Sequence, residues 1–225
     1  MNIILFGPPG AGKGTQSDFL AKKFNLFKVS SGDLLRKEVK NNSSHSQKIK
    51  SLLDEGLLVS DEVIDDIVEK VLLDKKVNNR LIFDGYPRNI YQAKKLDLII
   101  KNLEIKISYV FSLDVNKETI LKRILGRQIC SKCGLIFNKY FNPSNKNTHV
   151  CDDKFLQKRS DDTEHTASNR FETYLTTTLP LLDYYKKQNI HHQINGMAKI
   201  DEIFEEIRDI IAPLEAWLYN LCLYN

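Results

Sequence analysis

Ile3-Ile4-Leu5-Phe6 runs directly into Gly7-Pro8-Pro9-Gly10-Ala11-Gly12-Lys13-Gly14-Thr15, and a helical pattern follows. The order is strand, glycine-rich loop, helix. Such a loop can turn its backbone N–H groups inward around an anion, and the helix N-terminus behind it adds a favourable dipole. Lys13 supplies a point charge for the β- and γ-phosphates of a nucleotide. The match to G-x-x-x-x-G-K-[ST] holds from Gly7 to Lys13 and then departs. Gly14 stands where a metal-holding hydroxyl is expected, and Thr15 brings the hydroxyl one residue later.

Working outward, five short β-branched or aromatic runs, at 2–6, 27–29, 81–83, 107–113 and 192–194, alternate with helical patterns. That alternation predicts right-handed crossovers and a parallel sheet. Residues 15–24 place Phe19, Leu20 and Phe24 on one helical face, with Asp18 and Lys22 at ion-pair spacing. A second helix is expected to open at Ser31-Gly32-Asp33, where small polar residues can cap it.

With 225 residues, 42% of them hydrophobic, the chain can bury a full core as one large domain or as a core with small insertions. A net charge of +4 is too mild for a DNA-binding protein, yet it suits an anionic substrate held by a few arginines. The apolar run begins at once and has no basic leader, so no signal peptide is expected. No stretch approaches the ~18 apolar residues of a membrane span, and the expected location is cytoplasmic. Four cysteines do not make a disulfide framework at this length, and Cys130-x-x-Cys133 points to metal or redox chemistry.

Two segments interrupt the alternation. Residues 39–70 read as a helical excursion with no strand, broken at Asn41-Asn42-Ser43-Ser44 and at Gly56. Residues 128–159 carry the paired cysteines, Asn142-Pro143-Ser144-Asn145 and a third cysteine, and read as short strands and turns forming a lid. Between the two segments, Leu81-Ile82-Phe83-Asp84-Gly85-Tyr86-Pro87-Arg88 ends a buried-looking strand on an acid. Ligands of parallel sheets lie beyond the carboxyl ends of the strands, so Asp84 is placed to orient magnesium, directly or through its waters. Gly85 permits close backbone approach, and Arg88 can fork onto a phosphate.

The Gly-Lys-Gly-Thr ending of the loop, Ser30-Ser31-Gly32-Asp33-Leu34-Leu35-Arg36, Gly56-Leu57-Leu58-Val59, the Asp84–Arg88 run with Gln92, and Leu121-Lys122-Arg123-Ile124-Leu125-Gly126-Arg127 together resemble the adenylate kinases, over about residues 1–211. The resemblance implies an α/β fold of three layers, with a five-stranded parallel sheet, a helical monophosphate-binding insertion and a lid insertion. The core is then 1–29, 60–126 and 164–225, the insertion 30–59 and the lid 127–163. It implies ATP contacts at Gly10, Ala11, Gly12, Lys13, Gly14, Thr15, Arg123, Arg127, Ile136, Phe137 and Ala198. AMP contacts are implied at Ser31, Arg36, Leu57, Leu58, Val59, Gly85, Tyr86, Pro87, Arg88, Gln92, Arg159 and Arg170, with Gln92 reading the base edge. The implied catalytic set is Lys13, Asp84, Arg88, Arg123, Arg159 and Arg170.

The implied reaction is ATP + AMP ⇌ 2 ADP with Mg2+, by an expected monomer without nucleic-acid or membrane partners. Several cations suit it, because a loose phosphoryl-transfer transition state spreads charge over its equatorial oxygens. A lid suits it as well, because a transferable phosphoryl group exposed to water would be hydrolysed. Asp161-Asp162 are implied to hinge or latch that lid by pairing with basic residues.

In the zinc-bearing members of the family a fourth Cys or Asp follows the third cysteine by three residues, and here Lys154 holds that position. Structural Zn2+ is therefore expected on Cys130, Cys133, Cys151 and Asp153, with Asp152 next in order and His149 a remoter choice. Residues 212–225 run past the family's usual end. Leu214, Trp217, Leu218 and Leu221 share a helical face, and Pro213 suits the first turn of an added packing helix. The competing readings are a UMP/CMP- or guanylate-type kinase, disfavoured by Gln92 and the long cysteine lid, and a zinc-knuckle nucleic-acid binder, disfavoured by dispersed arginines.

Overall fold

The computed structural model describes residues 1–41, 46–74, 79–145, 147 and 149–223, with side chains as far as residue 217. β1 (Asn2–Phe6) is buried at every position, which is why it reads as an unbroken apolar run: a strand covered on both faces shows no polar side. It is the middle strand of a parallel sheet ordered β2–β3–β1–β4–β8, with β2 at Phe27–Ser30, β3 at Leu81–Asp84, β4 at Tyr109–Asp114 and β8 at His191–Asn195. All five strands fall on the expected runs, their ends moved by at most two residues.

The side chains of β1 alternate between two cores. Ile3 and Leu5 face α1 (Lys13–Phe24), α6 (Lys117–Leu125) and α9 (Ile200–Leu223), packing with Leu20, Ile120 and Ile207. Ile4 and Phe6 face the opposite layer of α2 (Ser31–Lys40), α3 (Ser46–Glu55), α4 (Asp61–Leu72), α5 (Ile90–Asn102) and α8 (Leu181–Lys186), packing with Leu35, Val68, Leu96 and Leu181. The helical insertion thus shares a core with one face of the sheet. The segment expected as the lid forms a separate antiparallel sheet, with β5 at Arg127–Cys130, β6 at Ile136–Asn138 and β7 at Leu156–Gln157, in the order β6–β5–β7. Beyond it, α7 (Glu164–Thr173) continues into a π-helical turn, Tyr174–Thr178.

Helix starts follow local chemistry. The side-chain oxygens of Asn89 and Asn116 accept the Gln92 and Thr119 amides at 2.9 Å, and Thr163 accepts that of Thr166 at 3.1 Å. The cap of α2 is Ser30 rather than Ser31, its hydroxyl taking the Asp33 amide. Asp18 pairs with Lys28 at 2.6 Å instead of the expected Lys22, because the start of β2 brings that longer-range cation closer than the next helical turn does. The expected break at Asn42-Ser43-Ser44 lies outside the described residues.

The C-terminal stretch forms no helix of its own. α9 runs unbroken from Ile200 through Pro213 to Leu223. Proline there removes one helical hydrogen bond. Ile207 and Ile211 are fully buried before it, and Arg80 donates to both carboxylate oxygens of Glu215 beyond it, at 3.1 and 3.0 Å. Anchored on both sides of the proline, the helix continues. The side chains of Leu218, Leu221 and Cys222 lie outside the described set.

Candidate active site

The loop after β1 turns at Gly10, with φ +81°, where an added Cβ would stand 2.8 Å from Ile124 Cγ1. Only glycine fits this approach of the loop to α6. The loop opens on a cavity of about 620 Å³ along the carboxyl ends of the strands. Residues 10–15 line it, with Asp84 at the end of β3 and Ala198 after β8. Lys13 Nζ donates to the Gly7 and Pro8 carbonyls at 2.6 and 2.9 Å, folding over its own loop. Desolvation, with Arg88 and Arg127 nearby and only Asp84 opposing, pulls this ammonium down to about 8.

The arginines converge as expected. Arg36, Arg88, Arg123, Arg127, Arg159 and Arg170 all line the cavity. Desolvation, followed by the neighbouring guanidinium charges, lowers Arg88 and Arg159 to about 10 each, so both stay cationic at neutral pH. Arg159 Nε is buried without a hydrogen-bond partner among the described residues. Arg123 donates to the Ala11 carbonyl at 3.1 Å and lies 5.3 Å from the Phe141 ring. Two arginines are held by the acid pair at the lid's end. Arg127 donates Nε to Asp162 Oδ2 at 2.7 Å and Nη2 to Oδ1 at 2.5 Å, and Arg170 pairs with Asp161. Burial pushes the Asp161 carboxyl upward, but Arg170 outweighs it and holds the group below the ordinary range.

On the opposite side, Leu57, Leu58, Gly85 and Pro87 line the cavity, as do Ile136 and Phe137 of the lid. A small adjoining pocket of about 20 Å³ is lined by Ser31, Val59 and Gln92, among others. Gly85, with φ +73°, lets Ser31 Oγ donate to its carbonyl at 2.6 Å, and a Cβ there would sit 3.0 Å from that same oxygen. Arg88 Nε donates to the Gly85 carbonyl at 2.8 Å. Tyr86 keeps its side chain away from the cavities. It is fully buried, and its hydroxyl donates to Asp65 at 2.7 Å. An apolar ring between two turn residues is drawn into the core.

Among the cavity residues to which the sequence assigned no ligand role are Lys28, Asp33 and Phe141. Asp33 was legible as the third residue of the Ser31-Gly32-Asp33 turn. Lys28 and Phe141 carry no local signal, because their places depend on β2 and the lid folding over the loop.

In the lid, the ligand atoms of Cys130, Cys133, His149 and Cys151 all lie within 4.8 Å of one another. Asp153 is outside this group. Its side chain is 80% exposed and takes a hydrogen bond from Ser144 at 3.2 Å. The 3-10 turn Asp153–Phe155 carries this acid to the surface, whereas His149, two residues before Cys151, is buried with its ring 4.8 Å from that of Phe137. His149 Nδ1 meets Ser144 Oγ at 3.0 Å, and its Nε2 is buried with no partner among the described residues. Three thiols and an imidazole with a free buried nitrogen fit a tetrahedral zinc site.

A phosphate loop at the carboxyl edge of a parallel sheet, faced by clustered arginines and bounded by a helical insertion and a small β lid, defines the class of P-loop nucleotide phosphotransferases. A family model described as adenylate kinase matches residues 5–190. The adenylate kinase of Pelagibacter ubique (strain HTCC1062) is 41% identical over 211 residues, 94% of this chain and 99% of the relative. That of Clostridioides difficile (strain 630) is 42% identical over 216 residues, 95% and 98% of the two chains. That of Methanothrix thermoacetophila is 40% identical over 217 residues, 96% and 100%. The chain belongs to the adenylate kinase family, and it is a phosphotransferase.

Proposed function

We propose that this chain catalyses ATP + AMP ⇌ 2 ADP, with ATP over the loop at 10–15 and AMP between the helical insertion and β3. One observation carries the reading. The phosphate loop lines a cavity whose walls bring six arginines together, and the Gln92 pocket shares Leu58, Gly85 and Arg88 with it, so two phosphate chains can meet there. Lys13 and Arg123 then bind the donor phosphates, Arg88 and Arg36 the acceptor phosphate, and Arg159 and Arg170 the group in transit. Asp84, at the end of β3, and Asp33, in the first turn of α2 just after the neighbouring strand β2, are the carboxylates suited to the waters of Mg2+. Bound there with the nucleotide, the ion would offset phosphate charge. Alignment, excluded water and preorganised charge supply the catalysis, with no covalent intermediate.

Cys130, Cys133, Cys151 and His149 would hold Zn2+ as a structural ion, since four protein ligands leave no open position. We also place the protein in the cytoplasm as a monomer. No described helix is long and apolar enough to cross a membrane, and free thiols suit a reducing compartment.

A coupled assay comparing AMP, UMP, CMP and GMP as acceptors with ATP tests the function. AMP is expected to lead by a wide margin, and preference for a pyrimidine or guanine acceptor would reassign the chain within its class.

A further inference from the structure

Gln92 is 2% exposed and lines the small pocket beside the main cavity. Both ends of its side-chain amide are engaged. Oε1 accepts the Arg88 backbone N–H at 2.7 Å, and Nε2 donates to Asp61 Oδ1 at 2.6 Å. The same Asp61 oxygen takes a second N–H from Asn89 Nδ2 at 2.8 Å, while Asn89 Oδ1 accepts the Gln92 backbone amide at 2.9 Å. The chemistry of these partners is one-sided. A backbone N–H only donates and a carboxylate only accepts. An amide turned by 180° would set Nε2 against the Arg88 N–H and Oε1 against the Asp61 carboxylate, two like-against-like contacts in a buried place.

We propose that Asp61 is a positioning residue that locks the Gln92 amide in the orientation that reads a 6-aminopurine and refuses a 6-oxopurine. The proposal rests on the reading of the small pocket as the acceptor-base site. With one bond used at each end, Gln92 keeps one lone pair on Oε1 and one N–H on Nε2. Adenine presents a donor at its 6-amino group and an acceptor at N1, which match those two valences. Hypoxanthine has the same size but presents an acceptor at O6 and a donor at N1, so it needs the turned amide. A site built around buried polar groups rejects a mismatched partner far more strongly than an apolar pocket rejects one of similar shape. Asp61 stands at the start of α4 while Arg88 and Gln92 flank the start of α5, so discrimination is set where the two elements meet.

The test compares AMP with IMP as acceptor, ATP being the donor, in the wild-type chain and in Asp61→Asn and Asp61→Leu. An asparagine can turn either end of its amide to Gln92, and a leucine imposes neither. In both variants the IMP/AMP ratio of kcat/KM should rise roughly tenfold or more, the effect of removing one buried mismatch, while the KM for ATP stays within about twofold. A merely structural role would lower activity toward both acceptors and leave the ratio where it was. An unchanged ratio in variants with wild-type circular dichroism and an AMP-preferring wild type overturns the role of Asp61 alone. A wild type that prefers IMP overturns the acceptor-base assignment itself.

Discussion

Arg127 and Asp162 meet in a two-point fork, and the Asp162 side chain is 1% exposed. The guanidinium that faces the cavity is therefore claimed by a carboxylate with which a phosphate chain would compete. Removing one member of a buried pair costs about 3 kcal/mol, because the other charge is left uncompensated. Asp162→Ala should lower the thermal midpoint by several degrees. ATP should then raise it further than in the wild type, since phosphate oxygens can take the vacated guanidinium. Differential scanning fluorimetry with and without ATP checks both, and equal ATP shifts in the two proteins would mean that Arg127 does not turn to phosphate.

Lys13 carries a pH prediction. Its proton affinity in the folded chain is lowered to about 8, mainly by desolvation. An anion beside it restores the charge, so nucleotide binding near pH 8 should take up protons, and affinity for ATP should fall as pH rises through that value. For stability the sign is fixed by linkage. Between about 8 and the unfolded value of 10.5 the unfolded chain holds the extra proton, so Lys13 makes stability rise with pH across that window. Calorimetry of ATP binding in buffers of different ionisation enthalpy reads the uptake. Lys13→Met should abolish it and lower kcat by roughly 10²-fold or more with the fold intact.

Arg88 joins the acceptor side through its Nε bond to Gly85 and a 3.3 Å donation to Ser31 Oγ. A lysine cannot reproduce that fork. Arg88→Lys should cost at least tenfold in kcat/KM for AMP, and Gln92→Ala should raise the KM for AMP far more than that for ATP. Steady-state kinetics with each substrate varied in turn separates the two, and equal changes for both substrates would remove either residue from the acceptor site.

Zinc should follow His149 rather than Asp153. His149→Ala is expected to lose the metal after dialysis, and Asp153→Ala to retain one ion per chain, measured by elemental analysis of protein purified under reducing conditions. Chelation should lower the melting temperature more than it alters turnover at low temperature. Retention by His149→Ala together with loss by Asp153→Ala would return the fourth ligand to the acid.

Much of this was legible because it is local. The all-buried β1, the glycine-rich loop and the Asp84-Gly85 turn each carry their meaning within a few residues, and the strands fell where apolar runs put them. What escaped depends on distant partners. Lys28 reaches Asp18 across a turn, and Tyr86 sinks into the core because Asp65 waits there for its hydroxyl. His149 escaped because the zinc pattern of the resembled family puts the fourth ligand after Cys151, whereas the folded loop returns the histidine to the thiols. Pro213 signalled a helix start that the buried face of α9 and the Arg80–Glu215 fork override.

The two cores described for the sheet leave the lid out. Among the described residues of the lid, Cys130 and Phe137 are the only buried apolar side chains, and neither belongs to those clusters. A piece of chain this small cannot exclude enough water to hold its shape, and small folds in that position depend on a staple. With Zn2+ bound, the thiol and imidazole group would do the work that a hydrophobic interior does elsewhere. Such a metal would give the lid a melting behaviour of its own, so that it could come apart and re-form while the sheet beneath keeps the phosphate loop in place.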